Sequence, residues 1–237
     1  MEKNKTSVFK VVMTVLFAIL VFASFFYYIF GTFDAESKIQ PKYLAYACGM
    51  LCFLFSLIFV RFDFKKIVLT LSLATTVAAD YFLVLNNSEE NKLVGLCIFC
   101  AFQFFLMIYT LYLNGSVGVR IVNIAIRVAL CLIAYFVLPG YVELGTLELV
   151  AVMYIINFFV SLLMLLFNLK TEWLLFLGCL LLFLCDIVIG LKNGGFTLLN
   201  LSGSFVDFLN SRAIQTYLYI PGLFLIATSS VFAKKKE

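Results

Sequence analysis

Apolar residues run through this chain in long stretches with no strict alternation, broken by short polar segments. Strict alternation would mark barrel strands, whereas continuous runs mark helices; in lipid only these two arrangements satisfy the backbone internally. The pattern predicts spans at Val8–Phe30, Tyr43–Val60, Ile67–Leu85, Leu93–Leu113, Ile121–Leu138, Leu147–Leu169, Trp173–Leu191 and Ala213–Ala233. Each holds about 18–23 residues, enough to cross a hydrocarbon layer about 30 Å thick. The expectation is an all-α polytopic membrane bundle of about eight helices, forming one integral membrane domain over residues 1–237. Arg61–Lys66 and Asn86–Lys92 are typical of the short polar connections. Lys192–Arg212 is longer, with Gly194, Gly195, Ser202, Gly203 and Ser204 around Leu198 and Leu199, and is expected to form an interfacial or re-entrant loop over a site. The first run is too long for a signal-peptide core and lacks a convincing cleavage site, so it reads as the first span.

Composition agrees: 64% of residues are hydrophobic and 13% charged, with mean hydropathy +1.10. A soluble domain is about half apolar and a quarter charged. The net charge of +4 includes no basic cluster suited to nucleic acid. Placement of charge says more. With the N-terminus inside, Lys3, Lys5, Lys10, Arg61, Lys65, Lys66, Arg120, Lys170, Lys234, Lys235 and Lys236 face the cytoplasm, against Lys38, Lys42, Lys92, Lys192 and Arg212 outside. That bias predicts both termini in the cytoplasm, and the cell membrane is the expected location. Arg127 falls within the fifth span and is expected to snorkel to the interface, with binding of an anionic head group as the other reading.

All seven cysteines lie in apolar runs and read as small buried residues, including the C-x-x-C pair Cys97 and Cys100. The chain has no histidine, and the residues call for neither metal nor cofactor. No Gly-rich phosphate loop, nucleophile elbow or zincin sequence is present.

Two acidic residues stand against this background. Asp80 and Asp186 each come thirteen residues after the start of a predicted span, the third and the seventh, which run in the same direction. Leu71 precedes one as Leu177 precedes the other; Leu85 and Asn87 follow the first as Leu191 and Asn193 follow the second. The echo suggests two four-helix halves in a parallel repeat, which would bring both carboxyls to one depth near a pseudo-two-fold axis. Two such groups in a poorly hydrated site act as one acid and one base. The bland alternative is that each holds a neighbouring helix. Gln103 and Tyr109 in the fourth span, Tyr154 and Asn157 in the sixth, and Tyr217 and Tyr219 in the eighth are candidate cavity residues, and Pro221 is expected to bend the eighth span.

These residues resemble the signatures of the YhhN family of membrane lysoplasmalogenases, over most of the chain. The family keeps a G-D in one span, then a stretch like F-x-x-G-x-x-x-F-x-x-x-H. Here Asp80 is followed by Leu93 to Gln103, in which Gly95 and Phe99 match and Gln103 replaces the histidine. A second signature like G-A-x-x-F-x-x-S-D reads here from Gly178 to Asp186; both ends match, Phe183 is shifted by one place, and Cys185 replaces serine. In the last span Tyr219 and Pro221 fit one version of the family pattern, with Leu223 in place of glutamine.

The resemblance implies hydrolysis of the vinyl-ether bond of lysoplasmalogens, with Asp80 and Asp186 catalytic and no metal or cofactor. The partner is then a lysophospholipid entering sideways from the bilayer, oriented by residues such as Gln103, Tyr109, Tyr154, Asn157 and Tyr219. The same aspartates also suit a small proton-coupled transporter or lipid flippase. An intramembrane aspartyl protease fits less well, because neither aspartate has the flanking Tyr-Asp or Gly-x-Gly-Asp context.

Overall fold

The structure is a computed structural model that describes residues 2–31, 41–60, 63–86, 88–113, 115–141, 145–192, 203, 206, 209 and 214–232. Eight long helices follow one another: α1 (Glu2–Gly31), α2 (Pro41–Phe59), α3 (Phe64–Asp80), α4 (Glu89–Leu113), α5 (Val117–Val137), α6 (Thr146–Phe167), α7 (Leu169–Gly190) and α8 (Ile214–Phe232). All eight are long and apolar enough to cross a membrane, and no strand occurs among the described residues. The all-α polytopic bundle expected from the hydrophobic pattern is therefore observed, with ends within a few residues of the predicted ones. Arg61 and most of the Lys192–Arg212 loop lie outside the described residues.

Local chemistry accounts for the boundaries. Asp63 caps α3 by accepting from the Lys65 N–H at 3.0 Å, and Ser116 caps α5 by accepting from Val119. Asn168 alone separates α6 from α7, and Glu172 in the first turn of α7 has non-helical φ/ψ. After Asp80 the backbone widens into a π-helical turn, Tyr81–Leu85. Helix α7 also runs into π-helical backbone, at Leu191 and Lys192. Such bulges occur often at functional sites.

Helices α2, α3, α4, α6, α7 and α8 form a closed ring, each packed on the next and α8 returning to α2. Helix α1 sits outside on α2 and α8, and α5 outside on α6. The sequence of neighbours in the first half (α1 on α2, α2 on α3, α3 on α4, α4 across to α6) repeats in the second (α5 on α6, α6 on α7, α7 on α8, α8 across to α2). This pattern of neighbours fits the four-plus-four arrangement suggested by the sequence echo. It places α3 and α7, the aspartate helices, on opposite sides of the ring.

Within lipid, apolar side chains gain little by leaving the bilayer, so helices associate through close backbone approach and polar contacts. The α7–α8 crossing shows the first. A Cβ on Gly178 would lie 2.9 Å from the Gly222 carbonyl oxygen, and one on Gly222 would lie 3.1 Å from that of Gly178. Backbone cannot yield as a flexible side chain can. Gly178→Val should therefore lower stability in detergent by about 1–3 kcal/mol, read as a lower unfolding temperature. Gly118→Val, where nothing lies within 4 Å, should leave it nearly unchanged. In α4, Gly95 performs the same service for the π-helical turn: a Cβ there would meet the Leu83 Cγ at 2.6 Å.

Candidate active site

Near one end of the ring, each of its six helices contributes a residue to a common interior region: Gly49 from α2, Asp80 from α3, Gln103 from α4, Tyr154 from α6, Asp186 from α7 and Tyr219 from α8. Matched depth follows from a fixed point at the other end, where Lys65 Nζ of α3 meets Glu172 Oε1 of α7 at 3.0 Å. Asp80 lies fifteen residues beyond Lys65 and Asp186 fourteen beyond Glu172, or about 22 and 21 Å at 1.5 Å per residue.

Each carboxyl has a tyrosine. The Tyr154 hydroxyl donates to Asp186 Oδ2 at 2.6 Å, and the Tyr219 hydroxyl donates to Asp80 Oδ2. The pairing crosses the halves in part: α3 is served by α8 of the other half, while α7 is served by α6 of its own. Asp80 and Asp186 lie within range of one another's charge, and the Cys185 thiol and Tyr219 hydroxyl lie within range of both. A Cβ on Gly49 would be 3.6 Å from both Asp80 Oδ2 and the Leu223 Cδ1, so the bare glycine leaves space beside the carboxyl. Gln103 is 4% exposed and lies beside Tyr154, yet neither its amide oxygen nor its nitrogen has a hydrogen-bond partner. A buried primary amide without partners is costly. It offers two N–H donors and an acceptor oxygen to a polar group beside Tyr154.

Two carboxylates in one apolar interior repel. The Tyr154 and Tyr219 hydroxyls hold the carboxyls in position while leaving further oxygen lone pairs for a ligand or water. Replacing either hydroxyl by hydrogen, in Tyr154→Phe or Tyr219→Phe, should cost any aspartate-dependent turnover about tenfold, in keeping with the loss of one charge-assisted hydrogen bond; a single-turnover assay in detergent checks this.

At the rim of this region Lys192 Nζ donates to the Gln215 side-chain oxygen at 2.8 Å, and the Cys185 thiol contacts the Gln215 carbonyl oxygen at 3.2 Å. Partial burial holds the Lys192 ammonium below the usual lysine range. Sequence reasoning missed Gln215 and Gly49, which carry no charge pattern, and treated Lys192 as a loop residue and an outer-side charge.

Three of the residues expected to line the site are placed elsewhere. Tyr109 donates to Glu172 Oε2 at 2.7 Å, at the Lys65 end. It follows Gln103 by six residues, which carries it about 9 Å down α4. Asn157, three residues after Tyr154, turns to the α5 side of α6, where its backbone oxygen accepts from Arg127 at 2.8 Å and its amide nitrogen approaches Cys131. Tyr217 packs edge-on against Phe25 of α1. Arg127 also departs from the expectation that it snorkels to the interface. It is 3% exposed, and its guanidinium is held by Asn123, Asn157 and Ser161. These partners sit at the same depth, so the side chain stays inside, where an Arg costs about 2.5–3.5 kcal/mol on insertion scales.

No group of three or more His, Cys, Asp or Glu side chains suited to holding a metal occurs among the described residues. Comparisons with family models, curated proteins and solved structures find no match to this chain.

Proposed function

We propose that this protein is an intramembrane hydrolase that cleaves the vinyl-ether bond of lysoplasmalogens, as its resemblance to the YhhN family implies. Products are a fatty aldehyde and a glycerophosphoethanolamine or glycerophosphocholine. The observation that carries the reading is the convergence of Asp80 and Asp186 from opposite helices of the ring, each held by a tyrosine, beside an unpartnered Gln103.

The chemistry needs two carboxyls in opposite protonation states and nothing more. The protonated carboxyl gives its proton to the β-carbon of the vinyl ether, and an oxocarbenium ion forms at the carbon bonded to oxygen. The ionised carboxyl stabilises that cation and takes a proton from the water that adds to it. The resulting hemiacetal then collapses: the carboxyl that took the water proton gives it to the glycerol oxygen as the C–O bond breaks, and the other carboxylate takes the hemiacetal hydroxyl proton, which yields aldehyde and alcohol and restores the dyad. The Gln103 amide is suited to orient the ether oxygen or the free glycerol hydroxyl. Lys192 at the rim supplies positive charge for the phosphate.

With both termini in the cytoplasm, as the charge bias implies, the site serves the outer half of the cell membrane. The test is product release by the purified protein in detergent: aldehyde from an alkenyl lysophospholipid, and fatty acid from its acyl counterpart. Release from the first alone supports the reading; release from neither overturns it. Lys192→Met should raise KM several-fold with kcat nearly unchanged, since the head group is bound alike in ground and transition states. The paired halves also suit alternating access, so proton-driven lipid flux in liposomes without aldehyde formation would instead establish the transporter reading.

A further inference from the structure

We propose that a groove beside Arg127, on the face away from the aspartates, binds a long-chain carboxylate taken from the bilayer. Arg127 is the eleventh of the 21 residues of α5, about 15 Å from either end of the helix. Its hydrogen-bond acceptors are all neutral: Asn123 Oδ1 at 2.8 Å, Asn157 O at 2.8 Å, Asn157 Oδ1 at 3.4 Å and Ser161 Oγ at 3.0 Å. Among the described residues the one salt bridge is Lys65–Glu172, so Arg127 has no carboxylate partner. Of its five N–H groups, these four contacts leave one on Nη2. One turn earlier on the same face, the Asn123 amide nitrogen is buried without an acceptor. The cluster thus carries a full positive charge and more donors than acceptors. It lacks an anion.

Beside the cluster lies a groove of about 570 Å³. Helix α5 packs on α6 and stands off from α4, which leaves the groove between them. Arg127 is the one charged residue in its wall, and Met107, Val128, Leu132, Phe136 and Met153 are among the apolar ones. From Arg127 to Phe136 the α5 wall extends about 14 Å, and Val128, Leu132 and Phe136 are exposed on its outer side, where an acyl chain enters from lipid.

A single chain with one compact anionic head fits this shape. A carboxylate presents two coplanar oxygens to a guanidinium. A glycerophosphate head brings several further polar atoms, and a zwitterionic one a second charge, that this wall does not match.

The test is thermal unfolding of the purified protein in detergent, titrated with palmitate, methyl palmitate or lysophosphatidylglycerol. Palmitate should raise the unfolding temperature saturably, and the other two should not. Arg127→Gln should weaken the palmitate response at least tenfold. Val128→Trp, which fills the groove and leaves the Arg127 hydrogen bonds in place, should abolish it, and this variant decides the matter if Arg127→Gln fails to fold. An equal response to the methyl ester, a response confined to the lysophospholipid, or a palmitate response that survives Val128→Trp overturns the proposal. Asp80→Asn should bind palmitate as the unaltered protein does, so the outcome is independent of the hydrolase reading.

Discussion

Asp80→Asn and Asp186→Asn should each lower aldehyde release by about 10²–10⁴-fold, with the protein still folded. Asparagine keeps the shape of the side chain and an oxygen that can accept from Tyr219 or Tyr154, so the contact from Tyr154, at 2.6 Å, and the contact from Tyr219 survive. What is lost is the capacity to give or take a proton. The two losses should not add: once one carboxyl is gone the other has no complementary partner, and the double variant should be little worse than either single one. The pH profile should be bell-shaped. At low pH both carboxyls are protonated and no base remains; at high pH both are ionised and no acid remains. Either substitution should flatten one limb. Near-full activity in Asp80→Asn or Asp186→Asn, measured as aldehyde released per mole of folded protein, would remove the dyad from the mechanism.

The second large effect is on stability, at the opposite end of the ring. Glu172→Gln should destabilise the protein by about 3–5 kcal/mol, because it leaves a buried ammonium without its counter-charge. Lys65 and Glu172 are each 7% exposed and meet at 3.0 Å. Glu172 also accepts from Tyr109 at 2.7 Å, and the Lys65 ammonium lies 5.8 Å from the Tyr109 ring centroid. This network ties α3, α4 and α7 together, and α3 and α7 are the helices that carry the aspartates. Lys65→Met should cost a similar amount by stranding the carboxylate. The double variant Lys65→Met/Glu172→Met should recover most of the loss, since replacing a whole buried pair by apolar side chains is often neutral. Unfolding temperature in detergent reads all three. A Glu172→Gln protein that unfolds where the unaltered protein does would show that the pair contributes nothing. Slippage of α3 against α7 would also blur the matched depth of Asp80 and Asp186, so a destabilised but folded variant should lose activity without any change near the site.

A third polar tie, Ser56 to Thr70 at 2.6 Å and to Ser230 at 2.7 Å, joins α2, α3 and α8 on the way between these two ends. In a bilayer such contacts replace much of the packing drive that water supplies to soluble cores. They explain why the ring holds buried polar residues, such as Ser56, Thr70 and Ser230, that hydrophobicity alone would place outside.

The sequence by itself determined the spans and marked the two aspartates within them. Helix length in a membrane is set by hydrocarbon thickness and 1.5 Å per residue, so counting along one strand of text suffices. Both Asp80 and Asp186 stand out because an ionisable group in an apolar run is rare and expensive. The parallel repeat showed faintly, in Leu71 and Leu177 and in Leu85 and Leu191, because lipid-facing and packing positions accept many apolar residues and retain little trace of common placement. Tertiary structure alone decided which side of each helix faces the centre. In helices apolar all round, no polar stripe marks the inner face. Tyr154 and Asn157 differ by three residues, yet one reaches Asp186 and the other Arg127. Gln103 and Tyr109 share α4, yet lie toward opposite ends of the ring. The Lys65–Glu172 pair joins helices 107 residues apart in the chain, and Gly178 against Gly222 sets how closely α7 and α8 approach. Such contacts depend on the rotation and pairing of helices, which a bilayer leaves to shape and hydrogen bonding rather than to hydrophobic pattern.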